Sequence, residues 1–221
     1  MVKVFISREP DLTVNLNRLI SAFGCELLAI SQIQTTPVDF INPVPLTSWV
    51  FFYSPKAVKF FFDAKPVFIN MPRFGAISSG TAAALAAHVQ VDFEGQGTDT
   101  EKTARYFSSI IGESTVLTPQ SDISLDILSQ IMGTERVIPL VCYQTREKPV
   151  TVGFPDVLVF SSPANVRSFF RANRVLGWQK MIAYGPSTAA AIRAQGYEPG
   201  YILDNASDES VAEAIIQAIK G

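Results

Sequence analysis

Serine and threonine side chains occupy four short turns in this sequence, and each turn precedes a segment with helical periodicity. Hydroxyl groups and free backbone N–H groups at the start of a helix suit carboxylates or phosphates. For any single turn, capping is the simpler explanation, because serine and threonine are favoured helix caps. With four turns in duplicated positions, anion binding is an equal alternative. The turns are Ser54-Pro55, Ser78-Ser79-Gly80-Thr81, Ser161-Ser162-Pro163 and Gly185-Pro186-Ser187-Thr188.

Tyr143 is the candidate proton donor. Its phenol can protonate a leaving group, although packing is the simpler role for an aromatic residue. The sequence lacks the dinucleotide-binding, phosphate-loop and H-E-x-x-H motifs. His88 is the single histidine and lies near a predicted helix end, which argues against a Ser-His-Asp triad. Arg8 and Lys180, near predicted strand ends, can face an acidic ligand, although most charged loop residues are only solvated.

Strands that alternate with helices must position these turns. Val2–Ile6 is an apolar run of the kind buried on both faces of a sheet. Val50–Tyr53 and Val157–Phe160 each lead into Ser-Pro, a strong helix start, and Thr98 with Glu101 has capping-box spacing. The βαβα order predicts parallel sheets, whose ligands bind beyond the carboxyl ends of the strands. Further strands are predicted at Phe74–Ser78, Val89–Phe93, Met181–Tyr184 and Tyr201–Leu203.

The sequence contains the same elements twice. Ser54-Pro55 and Ser162-Pro163 lie 108 residues apart, and Thr81 and Thr188 lie 107 apart. A repeat of this length predicts two similar lobes rather than a solenoid. The repeat alone cuts the chain near residue 111. Another division is equally compatible with it: the N-terminal βαβ segment joins the C-terminal half, and residues 38–143 form the other lobe.

Composition narrows the function classes. The net charge is −2, so the chain has no overall attraction for nucleic acid. No apolar run reaches the roughly 18 residues of a membrane span, and the N-terminal run turns polar at Ser7, too soon for a signal peptide. Cys25 and Cys142 have no metal or redox spacing, so we expect reduced, buried thiols in a cytoplasmic protein.

Several segments resemble the uroporphyrinogen-III synthase family over nearly the whole chain. Two departures stand out: Ser7-Arg8-Glu9-Pro10 replaces the family's Thr-Arg-Pro, and Tyr184 stands where the family often has a small aliphatic residue. The matching segments are Ile182–Ile192, similar to the family's Ile-Gly-Pro-Thr-Thr-Ala, Val159–Val166, similar to its strand-Ser-Pro-Ser turn, Val141–Thr145, similar to its Val-Tyr-x-Thr hinge, and Ser78–Ala82, similar to its Gly-x-x-Thr-Ala turn.

The resemblance implies an α/β fold of two similar doubly wound parallel-sheet domains joined by a two-stranded β-linker. Domain 1 would contain residues 1–35 and 148–221, and domain 2 would contain residues 38–143. The linker strands would be residues 30–38 and 140–149. This choice between the two divisions comes from the resemblance and not from the repeat.

The resemblance also implies a cyclising lyase that closes hydroxymethylbilane, a linear tetrapyrrole polycarboxylate, with inversion of the last pyrrole ring and loss of water. We expect no metal or organic cofactor, no nucleic-acid or membrane partner, and a monomer. The alternative is a non-catalytic two-lobed module that binds a small anion. Tyr143 is the expected catalytic acid, and the expected substrate-binding residues are Arg8, Ser54, Ser78, Gly80, Thr81, Ser162, Asn165, Lys180, Ser187 and Thr188.

Overall fold

The apolar runs form parallel strands, and the segments after them form helices. The computed structural model describes residues 1–96, 99–124, 126–205 and 207–220. In chain order the elements are β1 (Val2–Ile6), a 3-10 turn (Pro10–Thr13), α1 (Val14–Ser21), β2 (Cys25–Ala29), β3 (Ile33–Pro37), β4 (Trp49–Phe52), α2 (Pro55–Asp63), β5 (Arg73–Ala76), α3 (Ser79–Ala86), β6 (Phe93–Glu94), α4 (Thr100–Ile111), β7 (Val116–Ser121), α5 (Ile127–Met132), β8 (Val137–Glu147), β9 (Val157–Phe160), α6 (Pro163–Ala172), β10 (Lys180–Ala183), α7 (Gly185–Arg193), β11 (Tyr201–Ile202) and α8 (Asp208–Lys220).

These elements belong to two compact units. Unit 1 contains Met1–Gln34 and Arg146–Gly221, and unit 2 contains Thr35–Thr145. The sheet of unit 1 has the strand order β11-β10-β9-β1-β2, and all of its neighbouring strands run parallel. The other sheet has the order β3-β8-β7-β4-β5-β6, and its strands from β8 to β6 run parallel. The predicted α/β fold with parallel sheets is confirmed.

Five strands of each sheet have the same spatial order, and the sheet that contains β8 has β3 in addition at its edge. In unit 2, β7 and β8 take the places that β1 and β2 take in unit 1, while β4, β5 and β6 correspond to β9, β10 and β11. Each unit therefore combines the first part of one sequence copy with the second part of the other. In each sheet the order reverses at one place, between β1 and β9 in unit 1 and between β7 and β4 in unit 2. Ligands of open α/β sheets bind at such a topological switch point.

Both faces of each sheet are covered, which explains why the strand sequences are continuously apolar. Along β9, Val157 and Val159 pack in one cluster with α8, while Leu158 and Phe160 pack in another with α6 and α7. Along β4, Val50 and Phe52 pack with α2 and α3, while Trp49 and Phe51 pack with α4 and α5. The strands are therefore held firmly, and the residues just beyond their carboxyl ends have fixed positions.

Most of the local predictions are confirmed. Val2–Ile6 and Val157–Phe160 are strands with the predicted bounds, and both Ser-Pro pairs begin helices. The predicted strand Val89–Phe93 is wrong except at its end, where β6 begins at Phe93. Val89 and Val91 are instead partly buried against the core without pairing as strand residues.

The start of α4 differs from the predicted capping box. Thr98 lies outside the described residues. Asp99 is the N-cap, and its carboxylate accepts a 2.9 Å hydrogen bond from the Lys102 backbone N–H. An aspartate at this position also interacts favourably with the positive end of the helix dipole. Among the described residues, no helix is both long enough and apolar enough to cross a membrane.

Candidate active site

Apart from Lys180, the candidate residues lie at the carboxyl ends of the parallel strands in each unit. We call these places the carboxyl edge of unit 1, beyond β1, β9 and β10, and the carboxyl edge of unit 2, beyond β4, β5 and β7. Each includes its switch point, where two adjacent strands lead into helices on opposite faces of the sheet. The chain leaves each strand here and exposes the N–H groups of a following helix.

Tyr143 lies at the switch point of unit 2. It is in β8, opposite Ser121, where the pairing of β7 and β8 is interrupted between Gln120 and Ser121. Only 8% of Tyr143 is exposed. Its ring stacks on Phe60, with 5.0 Å between centroids and 16° between ring planes. The phenol interacts with the hydroxyl groups of Ser54 and Ser121, so it reaches across both strands of the switch point.

The surroundings of Tyr143 favour its protonated form. Burial raises the pKa of the phenol, and interaction with Ser54 opposes that increase. Asp122 is held nearby, where its carboxylate accepts a 2.9 Å hydrogen bond from the Thr145 backbone N–H. The negative charge of Asp122 adds to the increase in the Tyr143 pKa. A phenol in this environment retains its proton at neutral pH, as a general acid must.

Ser54 connects this phenol to the start of α2. The Ser54 hydroxyl oxygen accepts a 3.2 Å hydrogen bond from the Ala57 backbone N–H and so caps the helix. Ser78 occupies the corresponding place before α3, but its side chain makes no cap hydrogen bond. The Ser78 hydroxyl instead lies 3.2 Å from the Thr81 hydroxyl. Thr81 is buried, with 1% exposed, whereas Gly80 is exposed. A ligand at this turn therefore meets Ser78 and the backbone near Gly80 before it meets Thr81.

In unit 1, hydrogen bonds between two serines link the ends of β1 and β9 at the switch point. The Ser161 backbone N–H donates to the Ser7 hydroxyl oxygen at 2.8 Å, and the Ser161 hydroxyl donates to the Ser7 carbonyl at 2.6 Å. The Asn165 side-chain amide donates to the Ser162 hydroxyl at 2.9 Å, and its oxygen accepts from the Gln32 backbone N–H at 2.8 Å. Asn165 is 3% exposed, so it positions Ser162 more readily than it contacts a ligand.

Arg8 follows β1 at the same edge. Its Nη1 lies 3.0 Å from Asp208 Oδ1, and the two side chains are 23% and 20% exposed. Tyr184 stands directly before α7, and its hydroxyl is buried without a hydrogen-bond partner among the described residues. Burial raises the pKa of this phenol, while the positive charge of Arg8 lowers it and Asp208 raises it. These three side chains form one polar cluster, which we call the Arg8 cluster.

The first turn of α7 completes the carboxyl edge of unit 1. Gly185 begins the helix with a φ of 78°, a left-handed conformation that favours glycine. Ser187 is exposed, while Thr188 is buried with 1% exposed. Thr188 thus resembles Thr81 in unit 2, and both lie beneath the helix turn.

Lys180 is not brought together with the other candidates. It is the first residue of β10, and its backbone N–H donates to the Asp156 carbonyl at 3.0 Å. It therefore lies at the amino ends of the parallel strands, on the opposite edge of the sheet from Arg8 and Ser162. The sequence-based assignment of Lys180 as a substrate ligand needs correction for this reason. His88 lies just after α3 and stacks on Phe62, with 4.4 Å between ring centroids.

The two switch points differ in charge. In unit 1, β1 is followed by Ser7 and the cation Arg8, whereas in unit 2, β7 ends at Ser121 and is followed by the anion Asp122. A carboxylate ligand is attracted to Arg8 and repelled by Asp122. The duplicated frame has therefore diverged into an edge with the Arg8–Asp208 ion pair in unit 1 and an edge with Asp122 and the Tyr143 phenol in unit 2.

The sequence did not identify several residues of these edges. Ser121 ends β7 and Asp122 follows it, and Pro119 and Gln120 interrupt the apolar character of that strand. The direction of each strand is the sequence signal that identifies such residues. Ligands bind beyond the carboxyl ends of parallel strands. This rule excludes Lys180 as a ligand-binding residue, because it precedes its predicted strand, and it identifies Asp122 as a candidate, because it follows β7.

Comparison with known proteins gives a family and a fold. A family model described as Uroporphyrinogen-III synthase HemD matches residues 14–213. The structure resembles a mutant uroporphyrinogen III synthase from the extremely thermophilic bacterium Thermus thermophilus, at 17% identity and a TM-score of 0.64, covering 100% of this chain and 99% of that one. It also resembles uroporphyrinogen-III synthetase from Helicobacter pylori, at 18% identity and a TM-score of 0.66, covering 98% and 99%. No curated protein matches the sequence significantly.

Proposed function

Because the chain belongs to the uroporphyrinogen-III synthase family, we propose that residues at the carboxyl edges of its sheets bind hydroxymethylbilane and that Tyr143 assists the loss of its hydroxyl group. The chain is a cyclising lyase of tetrapyrrole biosynthesis. Its reaction closes the linear tetrapyrrole with inversion of the last pyrrole ring and loss of water. Without an enzyme the same substrate closes uninverted to the type I isomer, so the enzyme must fold a flexible molecule into one reactive shape.

The observation that carries the assignment of the acid is the environment of Tyr143. Its phenol is buried at the switch point of unit 2 and interacts with the hydroxyl groups of Ser54 and Ser121. In the proposed step, Tyr143 donates its proton to the substrate hydroxyl, which leaves as water. The proton lost from the pyrrole carbon at ring closure restores the phenol. The stacked ring of Phe60 fixes the direction of the phenol.

Binding of the substrate carboxylates is proposed to use donors rather than overall charge. The chain has a net charge of −2, so a polyanion requires local attraction. Helix N-termini supply it, because their free N–H groups and dipoles favour negative charge. The proposed ligands are the starts of α2, α3, α6 and α7, together with Arg8. Among the side chains, we propose Ser54, Ser78, Ser162 and Ser187 for direct contact, because they are not buried, and Thr81, Thr188 and Asn165 for support from buried positions.

We further propose that the enzyme works as a monomer in the cytoplasm, without a metal or organic cofactor and without nucleic acid. The two cysteines support a reducing compartment, because Cys25 and Cys142 are both free and buried. The single histidine, His88, stacks on Phe62, and the described residues contain no group of three or more His, Cys, Asp or Glu side chains that could hold a metal ion.

One assay tests the function. The purified protein is incubated with freshly made hydroxymethylbilane, and the type I and type III isomers are resolved by chromatography after oxidation. We expect type III to predominate, while heat-denatured protein gives only the type I isomer. A protein that binds the bilane but leaves the product as type I is a non-catalytic binding module, and that result contradicts the proposal.

A further inference from the structure

The ion pair in the Arg8 cluster joins distant parts of unit 1. Arg8 follows the first strand and Asp208 begins the last helix, 200 residues away. Exposed ion pairs contribute little and move freely. This pair is mostly covered, with side chains 23% and 20% exposed, so the position of the guanidinium is constrained. Loss of one partner leaves the other charge partly buried and unpaired.

Tyr184 directly precedes α7, and its side chain lies beside the same guanidinium. Its hydroxyl is buried and has no hydrogen-bond partner of normal geometry among the described residues. It nevertheless interacts with the Arg8 side chain, and the charge of Asp208 also acts on it. A buried polar group without a partner is unfavourable, so its presence calls for an explanation. Its place beside Arg8 supplies one, because the phenol oxygen can accept a hydrogen bond from the guanidinium when that group shifts toward a ligand.

Arg8 retains unused donors in this arrangement. Nη1 donates to Asp208, and the guanidinium also interacts with the Tyr184 hydroxyl, so these two partners leave other N–H donors of the group unused. A guanidinium has five N–H donors in a planar fork and can bind a carboxylate with two parallel hydrogen bonds. The hydrogen bond from Nη1 to Asp208 fixes the orientation of the Arg8 guanidinium, so its unused N–H groups point in a defined direction.

We propose that Asp208 and Tyr184 are positioning residues, which hold Arg8 so that its unused donors receive one substrate carboxylate. This inference rests on the proposed role of Arg8 in binding the bilane. Asp208 does not touch the substrate. It orients Arg8 and competes electrostatically with the incoming carboxylate.

The two roles of Asp208 predict opposite effects for two substitutions. Asp208→Asn retains an oxygen that can accept from Arg8 but removes the competing charge, so KM should fall by about threefold. Asp208→Ala removes the anchor, so KM should rise by about fivefold while kcat changes less than twofold. Tyr184→Phe should also raise KM, by about threefold. Glu209→Gln is the matched control, because it removes the neighbouring charge from the same helix start without contacting Arg8, and its KM should match the wild type.

The same substitutions in an Arg8→Ala background separate positioning from general destabilisation. If Asp208 and Tyr184 act through Arg8, their removal should not change KM further once Arg8 is absent. Should Asp208→Ala fail to fold, Asp208→Asn and Tyr184→Phe in the two backgrounds still decide the matter. Equal KM shifts for Asp208→Asn and Asp208→Ala, or shifts that persist without Arg8, overturn the inference.

The wild-type arm distinguishes this inference from the proposed function. Wild-type formation of the type III isomer together with unchanged KM in all three variants overturns only the positioning roles. Wild-type protein that gives no type III isomer overturns the proposed function and this inference with it.

Discussion

Ser54 and Ser162 make the same hydrogen bond in the two units. Each hydroxyl oxygen accepts from the backbone N–H three residues later, at 3.2 Å from Ala57 and at 3.3 Å from Asn165. The two serines lie 108 residues apart in the sequence but at equivalent places in two sheets with the same strand order. Duplication thus provided two similar helix starts. Their neighbours then diverged, with Tyr143 beside Ser54 and Asn165 beside Ser162.

Tyr143→Phe tests the proposed acid. The substitution keeps the ring on Phe60 and removes only the hydroxyl, so the fold should remain intact. Loss of a true proton donor should lower kcat by about 100-fold or more. The measurement is the initial rate of type III formation, corrected for spontaneous closure.

Tyr53→Phe is the matched control for that variant. Tyr53 is a second buried phenol of unit 2, and its hydroxyl accepts a 2.9 Å hydrogen bond from the Leu128 backbone N–H. Its loss should reduce stability by about 1 kcal/mol and leave turnover near normal. Near-normal turnover of Tyr143→Phe would return Tyr143 to a packing role.

Thr81→Val tests the indirect role of the buried threonines. The substitution preserves the volume of the side chain but removes the group that lies 3.2 Å from the Ser78 hydroxyl. We expect the substrate to bind more weakly by about 0.5–1.5 kcal/mol, because Ser78 loses its orientation. The dissociation constant of the product, measured by fluorescence quenching, reports the change.

Thr118→Val controls for the loss of any buried hydroxyl in unit 2. Thr118 is fully buried within β7, and its hydroxyl donates to the Ile138 carbonyl at 3.5 Å. Its variant should lose stability and keep its affinity. If Thr81→Val behaves in the same way, Thr81 only stabilises the start of α3.

Local signals predicted much of the fold. Continuous apolar runs identified β1 and β9, and Ser-Pro identified the starts of α2 and α6. The family resemblance, based on short motifs, is confirmed by the match over residues 14–213. Apolar runs, Ser-Pro pairs and short motifs each depend on residues that are adjacent in the sequence, so they can be recognised in a single sequence.

The Arg8 cluster could not be predicted in that way. Its members come from the first strand, the start of α7 and the start of α8, and no local pattern relates them. The same holds for the contact of Tyr143 with Ser54, because it depends on how β7 and β4 become neighbours. The repeat also allowed two divisions of the chain. The local signals are the same whether each domain consists of one sequence copy or combines parts of both copies.

Lys180→Ala and Arg8→Ala test the assignment of edges. Both substitutions remove one positive charge from unit 1, but Arg8 lies at the carboxyl edge and Lys180 at the amino ends of the strands. Arg8→Ala should raise KM by about tenfold, the effect of losing a charged hydrogen bond. Lys180→Ala should leave KM unchanged. An equal increase in KM for both variants would mean that the substrate responds only to net charge.

Cys142→Ala tests the link between burial and alkaline stability. Burial raises the pKa of the Cys142 thiol from its ordinary value of 9.0 to about 12. As the pH rises from 9, the unfolded chain loses this proton while the folded chain keeps it. The contribution of Cys142 to stability is therefore complete below pH 9 and declines as the pH rises toward 12, by roughly 1 kcal/mol per pH unit. Urea unfolding between pH 8 and about 11 should show a shallower decline of the free energy of unfolding for Cys142→Ala than for the wild type.

Cys25→Ala is the control for that variant. It should reduce the decline less than Cys142→Ala does, because Cys25 keeps 5% of its surface exposed whereas Cys142 keeps none. Parallel curves for the wild type and Cys142→Ala would show that the tyrosines account for the alkaline loss of stability.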